Sequence, residues 1–216
     1  DNPPLSLDGE ELELQSIRLD GRKLSPKEYR LETDALSVPN PPAQCVLETR
    51  VRIRPQDNTA LEGLYRSGNM YCTQCEAEGF RRITYFPDRP DVMARFSTTI
   101  SAERERYPVL LSNGNCVAEE SLENGRHRVR WEDPFPKPCY LFALVAGDLR
   151  FQQDSYTTGS GREVELRIYV EPDNIDKCDH AMRSLKNAMA WDEREYGREY
   201  DLDIYMIVAV NDFNMG

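Results

Sequence analysis

The residues best suited to chemistry lie in one short stretch, residues 71–82, which reads YCTQCEAEGFRR. This stretch interrupts the alternating pattern that precedes it and carries an amide and a carboxylate two residues apart, Gln74 and Glu76. In an extended backbone, side chains two residues apart point to the same side. We therefore predict a loop that presents Gln74 and Glu76 to a ligand, with an ordinary solvated loop as the alternative interpretation.

The same stretch contains a Cys-x-x-Cys pair, Cys72 and Cys75, among six cysteines in the chain. A zinc ribbon needs a second such pair, which this sequence lacks. A thioredoxin-type motif needs a βαβ context. Because the six cysteines are not spaced as a disulfide framework, we interpret them as packed, reduced thiols of a cytoplasmic protein.

The composition argues against several kinds of partner. The 216 residues carry a net charge of −11, with 39% hydrophobic and 30% charged residues. Phosphate binding requires clustered Lys and Arg, so we expect no nucleic-acid partner. No stretch approaches the ~18 consecutive apolar residues of a membrane span. No signal peptide is visible at the N-terminus, and we expect no membrane partner.

The first two thirds of the chain alternate as β-strands do. Residues 4–54 contain several such runs, separated by turn signals such as Asp20-Gly21. Further along, Asn113-Gly114 and Asn124-Gly125 predict two tight hairpins, because Asn and Gly tolerate the positive φ that primed turns require. These features predict an antiparallel β-domain over residues 1–148.

The pattern changes after residue 148. Residues 150–157 and 162–170 predict a hairpin, and residues 204–210 predict a buried strand. Between them lies an amphipathic helix, whose apolar residues are Cys178, Met182, Leu185 and Met189. Its candidate caps are Asp173 or Asn174 at the start and Gly197 at the end. This β-β-α-β order predicts a second domain over residues 149–216.

Several segments resemble one known family. Residues 73–81, TQCEAEGFR, followed by residues 88–92, DRPDV, resemble the bacterial branch of the aminopeptidase N family, which are zinc-dependent exopeptidases of the gluzincin type. Three further segments agree in the same order: residues 58–65, 133–142 and 201–205. The resemblance implies an N-terminal β-domain shaped as a saddle or sandwich, followed by the beginning of a thermolysin-like α+β catalytic domain.

The metal-binding motif of the family is missing from this chain. The family binds zinc through His-Glu-x-x-His, whereas the two histidines here, His127 and His180, stand alone. The family's Gly-Ala-Met-Glu-Asn motif would begin at Gly216, the last residue. We therefore expect a chain truncated at both ends, with no catalytic residue and no metal of its own. Zinc is expected in the full-length enzyme, and the remainder of the catalytic domain is an expected partner.

The resemblance assigns substrate contacts to four residues. It implies that Glu76 recognises the free α-ammonium of the substrate and that Gln74 lines the pocket and hydrogen-bonds substrate. It implies that Met215 cushions the first substrate side chain, for which a flexible thioether is suited. Gly216 would begin a segment whose backbone contacts the peptide. Glu78 receives no role.

These observations predict part of a metalloaminopeptidase that acts on peptides with a free N-terminus. The alternative is a non-catalytic, β-rich binding module on the same scaffold. We interpret Trp131 and Trp191 as packing anchors and expect His127 and His180 at the surface. The aromatic residues Tyr71, Tyr85 and Phe86 are expected to pack the central loop.

Overall fold

The computed structural model describes residues 2–211 and 213, and most of them lie in strands or in the loops between strands. In chain order the strands are β1 Leu5–Asp8, β2 Glu13–Leu19, β3 Arg22–Lys23, β4 Arg30–Leu31, β5 Ala35–Val38, β6 Leu47–Arg52, β7 Gly63–Ser67, β8 Met70–Gln74, β9 Ala94–Glu103, β10 Val109–Ser112, β11 Asn115–Ser121, β12 Arg126–Lys137, β13 Leu144–Gly147, β14 Arg150–Thr157, β15 Glu163–Val170 and β16 Ile204–Val208. The helix α1 is Asp179–Tyr196. The predicted mainly-β class is confirmed.

The strands form five small sheets, ordered β1-β5-β4, β3-β2-β6, β10-β13-β8-β7, β11-β12-β9 and β14-β15-β16. The pairing is antiparallel except between β15 and β16, which are parallel. A parallel pair needs a long crossover, and α1 lies in that connection. The predicted β-β-α-β order after the antiparallel part is therefore present.

Three apolar clusters support these sheets. One lies near the N-terminus around Ile17 and Leu36, and a second lies in the middle of the chain around Tyr65 and Trp131. The third joins β15 to α1. The middle cluster also includes Tyr169 and is covered by side chains of β16, so the part after residue 148 packs onto the part before it. The division at residue 148 remains a prediction.

Two of the predicted tight turns are present and one is wrong. Asp20-Gly21 and Asn124-Gly125 have positive φ at both residues, between 50° and 78°, as type I′ turns require. Asn113-Gly114 does not close a hairpin, because β10 pairs with β13 and β11 pairs with β12. Gly114 instead passes so close to β12 that an added Cβ would lie 2.1 Å from the Glu132 carbonyl oxygen. The Asn-Gly pair marks a corner between two sheets.

Helix α1 follows its predicted apolar stripe, since Met182, Leu185 and Met189 are buried. Gly197 adopts φ 61° and donates its N–H to the Glu193 carbonyl at 3.0 Å, which confirms the predicted C-cap. The predicted N-caps are wrong, because residues 172–177 form a 3₁₀ turn and the α-helix begins at Asp179. Within the described residues, no helix is long and apolar enough to cross a membrane.

Two of the predictions for single side chains are also wrong. His127 is fully buried, because the alternation of β12 turns it inward while its arginine neighbours face solvent. Its Nε2 lies 2.7 Å from the Tyr107 carbonyl oxygen. Trp191 is 45% exposed and packs edge-to-face on Tyr196 at the helix surface. Trp131 is buried, and its Nε1 donates to the Leu110 carbonyl at 3.0 Å, as expected of a packing anchor.

Candidate functional site

Glu76 lies in the loop between β8 and the 3₁₀ turn that begins at Phe80; these residues, 75–79, are called the Glu76 loop. Strand β8 is held between β7 and β13. The strand ends in buried residues, since Gln74 is 7% exposed and Cys75 is 1% exposed. The next three residues, 76–78, are exposed, and the 3₁₀ turn Phe80–Arg82 then brings the chain back to the protein. The fold therefore places one exposed carboxylate, Glu76, directly beyond a buried strand end.

The buried Gln74 side chain fixes the backbone of Glu76. Its Nε2 donates to the Glu76 carbonyl oxygen at 2.9 Å, and its Oε1 accepts the Glu76 N–H at 3.3 Å. The expectation that both side chains point to the same side required an extended backbone through Glu76, and this condition is not met, because β8 ends at Gln74. The hydrogen bond from Gln74 to a substrate remains a prediction. In this structure its amide holds the loop.

Gly79 closes this loop by close approach of two backbones. Its N–H donates to the Cys75 carbonyl oxygen at 2.9 Å. A Cβ at this position would lie 2.4 Å from the Gln74 carbonyl oxygen and 2.8 Å from the Gly63 nitrogen. A glycine is therefore required by space. A local sequence pattern does not show this role, because the approach depends on how the loop folds back onto the ends of β8 and β7.

A buried carboxylate, Asp88, holds the far side of the loop. Its Oδ2 accepts the Arg81 backbone N–H at 3.1 Å and the Arg81 Nε–H at 3.0 Å. Its Oδ1 accepts the Cys139 thiol at 2.8 Å. Burial, together with this hydrogen bond to Asp88, raises the pKa of Cys139 to about 12. Asp88 belongs to the DRPDV segment, but only the three-dimensional contacts reveal what it does.

Aromatic rings fill the space beneath the loop. Phe80 packs edge-to-face against Phe86 and Phe142, with ring centroids 5.1 Å apart in each pair. Three aromatic residues were expected to pack this loop, and only one of them does. Phe86 does contact Phe80, whereas Tyr85 joins the N-terminal cluster and Tyr71 packs on Tyr107.

Arg82, next to Arg81, contacts a different set of groups. Its three guanidinium nitrogens lie 3.1–3.4 Å from carboxylates of Glu10, Glu11 and Glu62. These partner side chains are 37–74% exposed. Exposed ion pairs contribute little to stability, typically about 0–1 kcal/mol each. Arg81 also lies 3.4 Å from an exposed carboxylate, Glu78, so the two adjacent arginines differ mainly in that Arg81 has one buried carboxylate partner, Asp88.

The structure does not test the roles predicted for Met215 and Gly216. Met215 and Gly216 lie outside the described residues. A cavity of ≈ 460 Å³ lies between β12, β13 and β16, with Lys137, Leu144 and Met206 in its walls. Its lining does not include Gln74 or Glu76. The Glu76 carboxylate thus projects from an open surface and not from this cavity.

The described residues do not fit a zinc site. Among residues 2–211 and 213, no group of three or more His, Cys, Asp or Glu side chains could hold a metal ion. Cys75 is a free, buried thiol. Burial raises the pKa of Cys75 to about 12, with Asp88 adding to the effect, so it is protonated at neutral pH and not a ready metal ligand.

Comparison with known proteins gives one consistent family. The model of the Peptidase M1 N-terminal domain matches residues 3–141. The chain is 58% identical over 213 residues to aminopeptidase N of Escherichia coli (strain K12), covering 99% of this chain and 24% of that protein. It is 57% identical over 215 residues to aminopeptidase N of Caulobacter vibrioides, covering 100% of this chain and 25% of that protein.

A solved structure agrees along the whole chain. The crystal structure of Legionella pneumophila aminopeptidase A in complex with aspartic acid matches with a TM-score of 0.95 and 42% identity, covering 100% of this chain and 25% of that one. The chain thus spans about a quarter of the length of these relatives. The resemblance to bacterial aminopeptidase N is confirmed, and the chain belongs to the Peptidase M1 N-terminal domain family.

Proposed function

We propose that this chain is part of a zinc metalloaminopeptidase that removes the first amino acid from peptides, and that Glu76 binds the α-ammonium of the substrate. One observation carries the proposal: the Glu76 carboxylate is exposed while its backbone is fixed by the buried Gln74 amide. The named relatives are aminopeptidases, which supports the same reaction class.

A carboxylate on a fixed backbone suits this task for a physical reason. An ammonium group that leaves water needs an anionic acceptor, or its desolvation cost is not recovered. An acceptor already held in place loses less conformational freedom when it binds. The α-ammonium occurs only at the start of a peptide. A carboxylate that binds it therefore selects the first peptide bond for cleavage.

The rest of the proposal concerns groups beyond the described residues. Met215 and Gly216 are proposed to form part of the pocket for the first side chain, where an adaptable thioether accepts side chains of different shape. Zinc is proposed to be held by the remainder of the catalytic domain and to polarise the scissile carbonyl or activate water there. This chain by itself is proposed to be inactive and free of stoichiometric zinc. We place the complete protein in the cytoplasm. This is consistent with Cys75 and Cys139, which are free thiols and form no disulfide.

The test is steady-state kinetics on the complete protein with Glu76→Ala. In the complete site, Glu76 and the substrate α-ammonium are proposed to form a buried charge pair, and truncating one partner of such a pair costs about 2–5 kcal/mol. At about 1.4 kcal/mol per factor of ten, this corresponds to roughly 30- to 4,000-fold in kcat/KM. We expect the lower half of that range, because other carboxylates of a complete site would compensate in part.

The matched control is Glu78→Gln, which removes the charge of a second exposed carboxylate two residues away and leaves an amide oxygen that can accept from Arg81, 3.4 Å from Glu78. It should stay within about threefold of the wild type, and the zinc content of both variants should be unchanged. Equal losses in the two variants would show a general effect of loop charge. A Glu76→Ala enzyme within about threefold of the wild type would show that Glu76 is an ordinary surface residue. Either result would contradict the proposal.

A further inference from the structure

Asp88 is a buried carboxylate that the proposed reaction does not use directly. It is 4% exposed, and both of its oxygens accept hydrogen bonds, from Arg81 on one side and Cys139 on the other. Its own backbone N–H donates to a carboxylate oxygen of Asp8 at 2.9 Å. A buried charge is costly unless it is paired and hydrogen-bonded, so these contacts constrain the geometry around Asp88 strongly.

The partners of Asp88 come from three separate parts of the chain. Asp8 ends β1, Arg81 lies in the 3₁₀ turn that ends the Glu76 loop, and Cys139 begins the 3₁₀ turn Cys139–Leu141 before β13. Arg81 is bound through its backbone N–H as well as its side chain, so Asp88 fixes the path of the chain and not only a side chain. The guanidinium also donates to the Asp88 carbonyl at 3.2 Å.

The Glu76 loop is thus fixed at both ends. On its entry side, the Gln74 amide holds the Glu76 backbone. On its exit side, the chain from Gly79 to Arg81 is held by close backbone packing and by Asp88. Only the short exposed segment 76–78 lies between these two attachments. A shift of the exit side therefore moves the Glu76 carboxylate.

We infer that Asp88 is a positioning residue for Glu76, which it holds in place through Arg81 and Cys139. The inference rests on the function proposed for Glu76. It adds a residue outside the exposed loop that determines how well the α-ammonium is bound. A misplacement of about 1 Å can cost on the order of 100-fold in rate, so a residue that never touches substrate can have a large effect.

The experiment uses Asp88→Asn in the complete protein, alone and combined with Glu76→Ala. Asp88→Asn removes the charge that pairs with Arg81 and should lower kcat/KM for free-amine peptides about tenfold or more. In the Glu76→Ala background the same change should cost at most about twofold, because residues that act through one group are not additive. A merely structural role would give the full loss in both backgrounds, which would overturn the inference.

Arg82→Gln is the matched control, since Arg82 lies on the same 3₁₀ turn and pairs with exposed carboxylates only. It should leave kcat/KM within about twofold. If it lowers kcat/KM as much as Asp88→Asn does, the buried carboxylate has no special role and the inference is wrong.

If Asp88→Asn does not fold, a pair of variants at Cys139 decides the question. Cys139→Ala removes the donor to Asp88 Oδ1 and should lower kcat/KM about threefold, whereas Cys139→Ser keeps a donor and should restore it. Equal activity of Cys139→Ala and the wild type would overturn the inference.

Glu76→Ala distinguishes the proposed function of Glu76 from the positioning role of Asp88. If it is fully active, the proposed function fails. If only Glu76→Ala loses activity, the positioning role fails.

Discussion

The Glu76 loop and the segment from β14 to β16 are held by different forces. Above the aromatic rings on which it packs, the loop is fixed by hydrogen bonds to buried polar groups, the Gln74 amide and the Asp88 carboxylate. The later segment depends on apolar packing of β15 against α1, with fully buried Val164 and Leu166 at its centre. Its charged contacts, such as Lys186 with Asp154, lie at the surface.

The difference shows how each region meets its purpose. Hydrogen bonds have narrow ranges of distance and angle, so they fix the backbone of a loop that we propose to present one carboxylate. Apolar burial is non-directional and roughly proportional to area, so it stabilises a layer without setting single atoms. Variants of the first region should therefore change activity more than stability, and variants of the second should do the reverse.

Leu166→Ala should have the largest effect on stability. Leu166 is fully buried, and deletion of a buried leucine side chain typically costs about 2–5 kcal/mol. The free energy of unfolding, measured with a chemical denaturant, checks this value. Ile175→Ala is the control, because Ile175 is 39% exposed and should change stability by less than about 1 kcal/mol. Equal losses would show that the β15–α1 cluster is not the main support of the segment.

Gly79→Ala should have a smaller effect on stability but a clear effect on activity. The new methyl group would overlap the Gln74 carbonyl, and such overpacking typically costs about 1–3 kcal/mol. In the complete protein kcat/KM should also fall, because the loop must shift. The control is Gly159→Ala, where the nearest atom to a Cβ would be 3.4 Å away. A Gly79→Ala enzyme with wild-type kcat/KM would contradict the role of loop geometry.

Hydrogen exchange on this chain tests the predicted division at residue 148. All five residues of β16 are only partly buried, so the prediction of a buried last strand is wrong. In contrast, β12 alternates between exposed and buried positions over residues 126–133. Because local opening follows burial, amides of β16 should exchange faster than those of the β11–β12 hairpin. Mass spectrometry of exchange at neutral pH gives the comparison. Equal protection of the two regions would contradict the division into 1–148 and 149–216.

Arg82→Gln should have the smallest effect on stability. Its three carboxylate partners are exposed, and such pairs contribute about 0–1 kcal/mol each. One guanidinium shared by three partners does not make three independent pairs, so the free energy of unfolding should fall by about 1 kcal/mol in total, and by less at high salt, where surface charges are screened. Denaturation at low and high salt measures this. A larger loss in the free energy of unfolding that salt does not reduce would show that Arg82 stabilises the fold as a buried ion pair does.

The sequence predicted local structure well where local chemistry decides it. Asp20-Gly21 and Asn124-Gly125 form type I′ turns because both residues accept positive φ. Asn113-Gly114 carries the same signal but joins two sheets, since strand pairing depends on distant segments. The prediction that His127 lies at the surface is wrong, because its charged neighbours on an alternating strand lie on the opposite face.

The candidate site was predictable only in part. The exposed carboxylate at Glu76 follows from the resemblance of residues 73–81 to a known family. The groups that hold it do not, because the backbone atoms that crowd Gly79 include one on a strand 16 residues earlier, and Asp88 accepts a hydrogen bond from a thiol 51 residues later. Such close approaches arise from tertiary packing, which no local pattern encodes.

The central claim is that Glu76 recognises the free amino group, and the most direct measurement compares two peptides that differ only in N-terminal acetylation. Acetylation removes the positive charge, so the wild-type complete protein should strongly prefer the free-amine peptide. Glu76→Ala should lower the ratio of kcat/KM for the free-amine peptide to kcat/KM for the acetylated peptide, because it removes the carboxylate proposed to bind the ammonium. An unchanged ratio in Glu76→Ala would contradict the account.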